Sequence, residues 1–200
     1  STDPAYRSHV QRGAEWVAAT LEQIGLEATM LPTDGHPAVL GLSRQEGDDP
    51  ETPRVLYYGH YDVQPPDPLE DWISPPFEPA IRDGAIHGRG ASDDKGQVCC
   101  FLEALRAWQR IYGRFPCPVA VLIEGEEEVG SAHLPALIQQ HRRQLAAKVV
   151  VISDTTMWDS QTVAITYGLR GMLYFDIQLH GPNRDLHSGV YGGAVPNPAI

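Results

Sequence analysis

The stretch that decides the fold opens with Leu56-Tyr57-Tyr58-Gly59-His60-Tyr61-Asp62-Val63 and closes with Gly88-Arg89-Gly90-Ala91-Ser92-Asp93-Asp94-Lys95-Gly96. Val55 to Tyr58 is a nearly continuous apolar run, as in a strand covered on both faces. It delivers a histidine and, two residues on, a carboxylate. Residues two apart on a strand point the same way, so Asp62 can orient the His60 imidazole. The second part is a tight glycine turn between a strand and a helix, and it delivers Asp93. Its G-x-G-x-x-D pattern resembles a dinucleotide fingerprint, but an aspartate replaces the third glycine and would repel a pyrophosphate. Small residues instead let the chain turn so that Asp93 enters a cleft, with Asp94 as a helix cap and Lys95 facing solvent.

Working outward, helices are predicted over Tyr6 to Ile24, Lys95 to Tyr112 and Ser131 to Arg143 from their apolar spacing. The face predicted for the second is Val98, Phe101, Leu102, Leu105 and Trp108. Strands are predicted over Leu26 to Leu31, Val39 to Leu42, Arg54 to His60, Pro118 to Glu124 and Lys148 to Ser153. Ala80-Ile81-Arg82 and Ala85-Ile86-His87 flank Asp83-Gly84, which supplies the positive φ angles of a type I′ hairpin. Ser43 to Pro53 reads as a surface turn. Strands separated by helices predict an α/β domain with a mixed, largely parallel twisted sheet flanked by helices. Ligands of such sheets sit beyond the carboxyl ends of the strands. After Thr162 the texture changes, and Val163 to Tyr167 and Met172 to Leu179 read as antiparallel strands.

Three strands end in ligand-type residues at that edge: His60, the run Glu124 to Glu128, and Asp154. Four glutamates in one loop repel one another unless cations are present. Adjacent glutamates can divide the labour, one ligating a metal and one taking a proton from a water that the metal acidifies. Taken together these residues make an oxygen-rich site for two metal ions, and mixed histidine and carboxylate ligation suits zinc, manganese or cobalt. Asp185-Leu186-His187-Ser188-Gly189 adds a loop histidine. No G-x-S-x-G elbow is present, and no cysteine lies in a turn suggestive of a lowered pKa.

Bulk properties agree. The 200 residues are 42% hydrophobic and 20% charged, as in a globular chain. The formal net charge of −11 argues against nucleic acid as a partner. Cys99, Cys100 and Cys117 form no disulfide framework, and the first two read as core residues. The absence of an apolar run long enough to span a membrane, or of a signal peptide, predicts a cytoplasmic protein with no membrane partner.

The set His60-Tyr61-Asp62, Gly88 to Gly96, Glu127-Glu128-Val129-Gly130-Ser131, Ser153-Asp154 and Asp185 to Gly189, in this order, resembles the M20 family of dinuclear metallopeptidases. Ile165 to Gly171 and Leu186 to Gly193 look closest to its carnosinase-like dipeptidase branch. The resemblance implies that His60 and Asp154 bind metal, with Asp93 bridging to a second ion held by Glu128. Glu127 is then the general base, Asp62 supports His60, and the Asp93–Asp94 peptide is cis. His187 matches a histidine that reaches the partner subunit's site in dimeric relatives. Two divalent ions are implied, zinc foremost, with manganese or cobalt as alternatives. The implied domains are a catalytic domain over 1–167 and the beginning of an α+β lid and dimerisation domain over 168–200, in a homodimer.

The reaction implied is hydrolysis of a small dipeptide by a metal-bound hydroxide. Alternatives are an N-acyl amino-acid deacylase or desuccinylase, a non-catalytic binding module, and a nucleotide-dependent enzyme. The family carries a further metal-binding histidine late in the chain, beyond residue 200. Residues 1–200 alone are therefore expected to hold the second ion weakly and to turn over little.

Overall fold

The computed structural model describes residues 4–43 and 53–198. Residues 44–52, most of the predicted Ser43 to Pro53 turn, lie outside this range. The chain divides into two compact units, Ser1–Thr156 and Met157–Ile200.

The first unit is built on a five-stranded sheet of β1 (Glu27–Leu31), β2 (Ala38–Leu42), β3 (Val55–His60), β6 (Val119–Glu124) and β7 (Val149–Ile152), in the order β1-β2-β6-β3-β7. β3 pairs in parallel with β6 and β7, while β2 pairs antiparallel with β1 and β6. The sheet is thus mixed, and its parallel part carries the predicted site. β3 and β6 lie in the interior, where they are covered on both faces. β6 is buried along its whole length, which is why Val119 to Ile123 reads as an unbroken apolar run. β7 is an edge strand, and Val149, Val150 and Ile152 are exposed although the run is fully apolar.

Helix α1 (Arg7–Ile24) buries Ala14, Val17, Thr20, Leu21 and Ile24 on one stripe and ends at Gly25 in the left-handed conformation, φ 100°. Burial of each large apolar side chain on such a stripe contributes about 1.5–3 kcal/mol. Helix α2 (Lys95–Tyr112) buries Val98, Leu102 and Leu105. Phe101 is partly buried and stacks on Tyr57, with ring centroids 3.8 Å apart. Trp108, predicted on that face, is exposed and lies against Tyr112 one turn on. Cys100 is also exposed, and Cys99 is half-buried. Trp108 and Cys99 flank the buried stripe and Cys100 falls on the opposite side of the helix, so the expected core cysteines are not core.

The single helix predicted over Ser131 to Arg143 is instead two short ones, α3 (Leu134–Gln140) and α4 (Arg142–Leu145), separated at His141. The hairpin of β4 (Ala80–Arg82) and β5 (Ala85–His87) has φ 51° at Asp83 and 76° at Gly84, as the type I′ reading requires.

The second unit carries one short helix, α5 (Ser188–Tyr191). The strands predicted over Val163 to Tyr167 and Met172 to Leu179 do not form. Their apolar residues are exposed, Phe175 by 81% and Ile177 by 80%. A strand satisfies its backbone only through a neighbour, and none pairs with these segments among the described residues.

Candidate metal centre

β3 and β6 run in parallel register with His60 beside Glu124, so both strands end at the same level. β7 pairs with β3 through Ile152, which brings Asp154, two residues further, to that edge. The glycine turn before α2 supplies Asp93, and the Asp93–Asp94 peptide is cis, as expected. His60 is fully buried; its Nε2 lies 3.1 Å from Asp93 Oδ1, 3.4 Å from Asp154 Oδ2 and 4.0 Å from Glu127 Oε2. One donor atom from each of His60, Asp93 and Asp154 falls within 4.8 Å of the others. Among the described residues this is the group that could hold a metal ion.

On its other side, His60 Nδ1 faces two oxygens of Asp62, the backbone O at 3.2 Å and Oδ1 at 3.3 Å. Asp62 therefore orients the ring with its main chain as well as with the predicted carboxylate. Its Oδ2 accepts the Glu128 N–H at 3.2 Å, which ties the strand end to the glutamate loop.

Asp94 is buried and makes no side-chain helix cap, contrary to the sequence reading. Its Oδ2 instead accepts the His60 N–H at 3.3 Å. The approach is close: a β-carbon on Gly59 would sit 2.8 Å from that oxygen. Lys95, expected to face solvent, is an exposed residue, but its Nζ turns inward and donates to Tyr61 O.

Electrostatics follow from this crowding. Burial alone would lower the His60 pKa; the Asp62 hydrogen bond and the charges of Asp62, Asp94 and Glu127 outweigh it and raise it to about 9. Burial pushes the Asp94 carboxyl up to about 6, with Asp154 and Asp93 adding to the rise and the His60 N–H and ring opposing it. Glu127 is raised by burial and then by Asp154, Glu128 and Asp62, against the pull of His60. Asp62 is held below the usual carboxylate range, because its hydrogen bond and charge contact with His60 overcome burial. Carboxylates packed around one imidazole nitrogen call for positive charge between them. A divalent cation fits that set, since Nε2 and carboxylate oxygens are its preferred donors.

The four glutamates do not act as one repelling cluster. Glu124 accepts hydroxyls from Tyr58 and Ser131. Glu126 pairs with His133 Nδ1 at 2.7 Å. Glu127 faces His60, and Glu128 Oε2 accepts from Gln64 Nε2 at 2.9 Å. Glu128, predicted to hold a second ion, stands outside the three-residue group. Gln64, Tyr58 and Ser131 were not legible as site residues, because their partners lie far along the chain and no local pattern marks them. His187 belongs to the second unit, where its Nδ1 accepts the Gly189 N–H at 3.0 Å at the start of α5.

Fold and site together define a candidate cation-binding centre at the carboxyl edge of a mixed α/β sheet. Residues 56–195 match the peptidase family M20/M25/M40. The chain belongs to that family. It is 36% identical to the Cys-Gly metallodipeptidase dug1 of Schizosaccharomyces pombe, over 99% of this chain and 44% of the relative. It is 34% identical to the Beta-Ala-His dipeptidase of Homo sapiens, over 98% of this chain and 40% of the relative. The structure of the di-peptidase Dug1p from Saccharomyces cerevisiae superposes with a TM-score of 0.72 at 31% identity, over 100% of this chain and 44% of that one. Human carnosine dipeptidase 1 gives a TM-score of 0.70 at 26% identity, over 100% and 44%. The chain spans less than half the length of these relatives. No helix among the described residues is long and apolar enough to cross a membrane.

Proposed function

We propose that this chain carries the metal site and general base of a dipeptidase that hydrolyses small peptides with two divalent ions. The observation that carries the reading is the convergence of Asp93, Asp154 and Glu127 on the buried His60 Nε2, within 3.1–4.0 Å. Its relatives carry dipeptidase names, which points to the same substrate class. His60, Asp93 and Asp154 would hold one ion, and Glu128 would help to hold a second. Ions held there, zinc foremost, would polarise the peptide carbonyl and acidify a water. Asp62 fixes the His60 ring so that Nε2 faces the site. Glu127 takes the proton of the attacking water and returns it to the leaving amine. Its raised pKa brings it closer to the operating pH, where a general base is most effective. Residues 168–200 open the lid domain, from which His187 reaches the partner's site in a homodimer.

The test uses the full-length protein on dipeptides and on N-acyl amino acids, with metal content measured in parallel. Glu127→Gln is expected to lower kcat by roughly 10²–10⁴-fold with the bound metal retained. Undiminished dipeptide turnover by that variant would sink the mechanism. Preference for N-acyl amino acids would replace the dipeptidase by the deacylase.

A further inference from the structure

Glu124 is a buried carboxylate that the proposed chemistry leaves without a role, 3% exposed and beside His60 in the β3–β6 register. Its Oε1 accepts two hydroxyls, that of Tyr58 on β3 and that of Ser131 at 2.7 Å. Tyr58 lies two residues before His60, on the same strand.

Ser131 closes the loop that begins at Glu124. After the 3₁₀ turn Glu127–Val129, Gly130 and Ser131 are both left-handed, with φ 90° and 49°. That conformation is ordinary for glycine and costly for serine, so it persists only where surrounding bonds enforce it. The bonds are present. Ser131 N donates to Glu126 O at 2.8 Å, and Ser131 Oγ to Glu124. The loop therefore has a neck, Glu124 to Ser131, tied to β3 through Tyr58. Glu127 and Glu128 stand on the part of the loop above that neck.

We propose that Glu124 is a positioning residue: shared between Tyr58 and Ser131, its carboxylate closes the neck of loop 124–131 and sets where Glu127 and Glu128 stand relative to His60. This rests on the roles given to Glu127 and Glu128 above. A carboxylate that only stabilised the fold would lower the melting temperature on removal without selectively slowing the chemical step.

The experiment uses the full-length metal-loaded enzyme and its metal-free form. Ser131→Ala and Tyr58→Phe each delete one hydroxyl and little volume. Ser131→Ala is expected to lower kcat about tenfold, with KM within about twofold, and to weaken the second zinc binding step by a similar factor in calorimetric titration. Glu124→Gln keeps an oxygen that accepts both hydroxyls and is expected to restore kcat to within about threefold of the parent, while Glu124→Leu does not. The proposal is overturned if both hydroxyl deletions leave kcat and zinc binding within about twofold of the parent while lowering the melting temperature. Should the parent cleave no dipeptide, the dipeptidase reading fails separately, and the zinc titration of Ser131→Ala still decides the clamp.

Discussion

β3 and the segment Met172 to Leu179 carry equally strong strand patterns, yet only one of them is a strand. Val55 to His60 pairs with β6 along its whole length, and Val55 to Tyr58 pairs with β7 on the other side. Leu173, Phe175, Ile177 and Leu179 alternate as a half-buried strand should, and all are exposed. Strand propensity states what a segment can do when a neighbour and a covered face are supplied. The edge that carries His60 is therefore fixed by register between strands, and the second unit is a pattern still without its partner among the described residues.

The comparison breaks most visibly under a charge. Val121 is fully buried at the centre of the sheet, where an unpaired aspartate cannot be solvated. In this 200-residue chain, Val121→Asp is expected to cost about 4 kcal/mol or more, enough to unfold a marginal domain. Ile177→Asp is expected to change stability by no more than about 0.5 kcal/mol, as exposed substitutions do. Urea denaturation of both variants checks this. A cost for Ile177→Asp approaching that of Val121→Asp would mean that the exposed segment is covered after all.

How much could be read in advance follows the same division. Sheet-forming runs, the Asp83-Gly84 turn and the convergence of His60, Asp93 and Asp154 were legible, because each depends on local pattern plus one rule about parallel sheet edges. The roles inside the glutamate run were not. Glu124 and Glu127 have the same side chain in the same loop, and only packing decides that one bonds Tyr58 and Ser131 while the other faces His60. Asp94 was misread for a related reason. A cap position and a residue turned onto a strand N–H look alike in sequence. Trp108 shows the limit of helical spacing, since a stripe predicted one residue too wide takes in its exposed rim.

A second prediction sharpens the edge itself. The pKa of His60 stands at about 9, above its ordinary 6.5. In the metal-free protein the stabilisation this represents is complete below pH 6.5 and is lost as pH rises through 9. A cation needs the neutral Nε2 and must displace that proton. Between pH 6.5 and 9 its affinity is thus expected to rise by up to about tenfold per pH unit, then to level off with respect to this group. Chelator-competition titrations of the full-length protein at several pH values measure the slope. A flat profile below pH 9 would show that His60 enters the site already deprotonated.

The smallest expected effect concerns Gln64, which touches no residue of the three-membered cation group. Its Nε2 donates to Glu128 O and to Glu128 Oε2, both at 2.9 Å. One bond holds the main chain of Glu128 and the other holds a carboxylate oxygen. The residue is exposed, so its truncation removes orientation and little packing. Gln64→Ala is expected to weaken the second ion about tenfold, the lower end of what supporting residues contribute. The first ion, held by His60, Asp93 and Asp154, is expected to be unaffected. Stoichiometric zinc titration of the full-length protein separates the two steps. Equal weakening of both would show that loop 124–131 and the β3 edge respond as one unit, and the distinction between the two halves of the centre would fall.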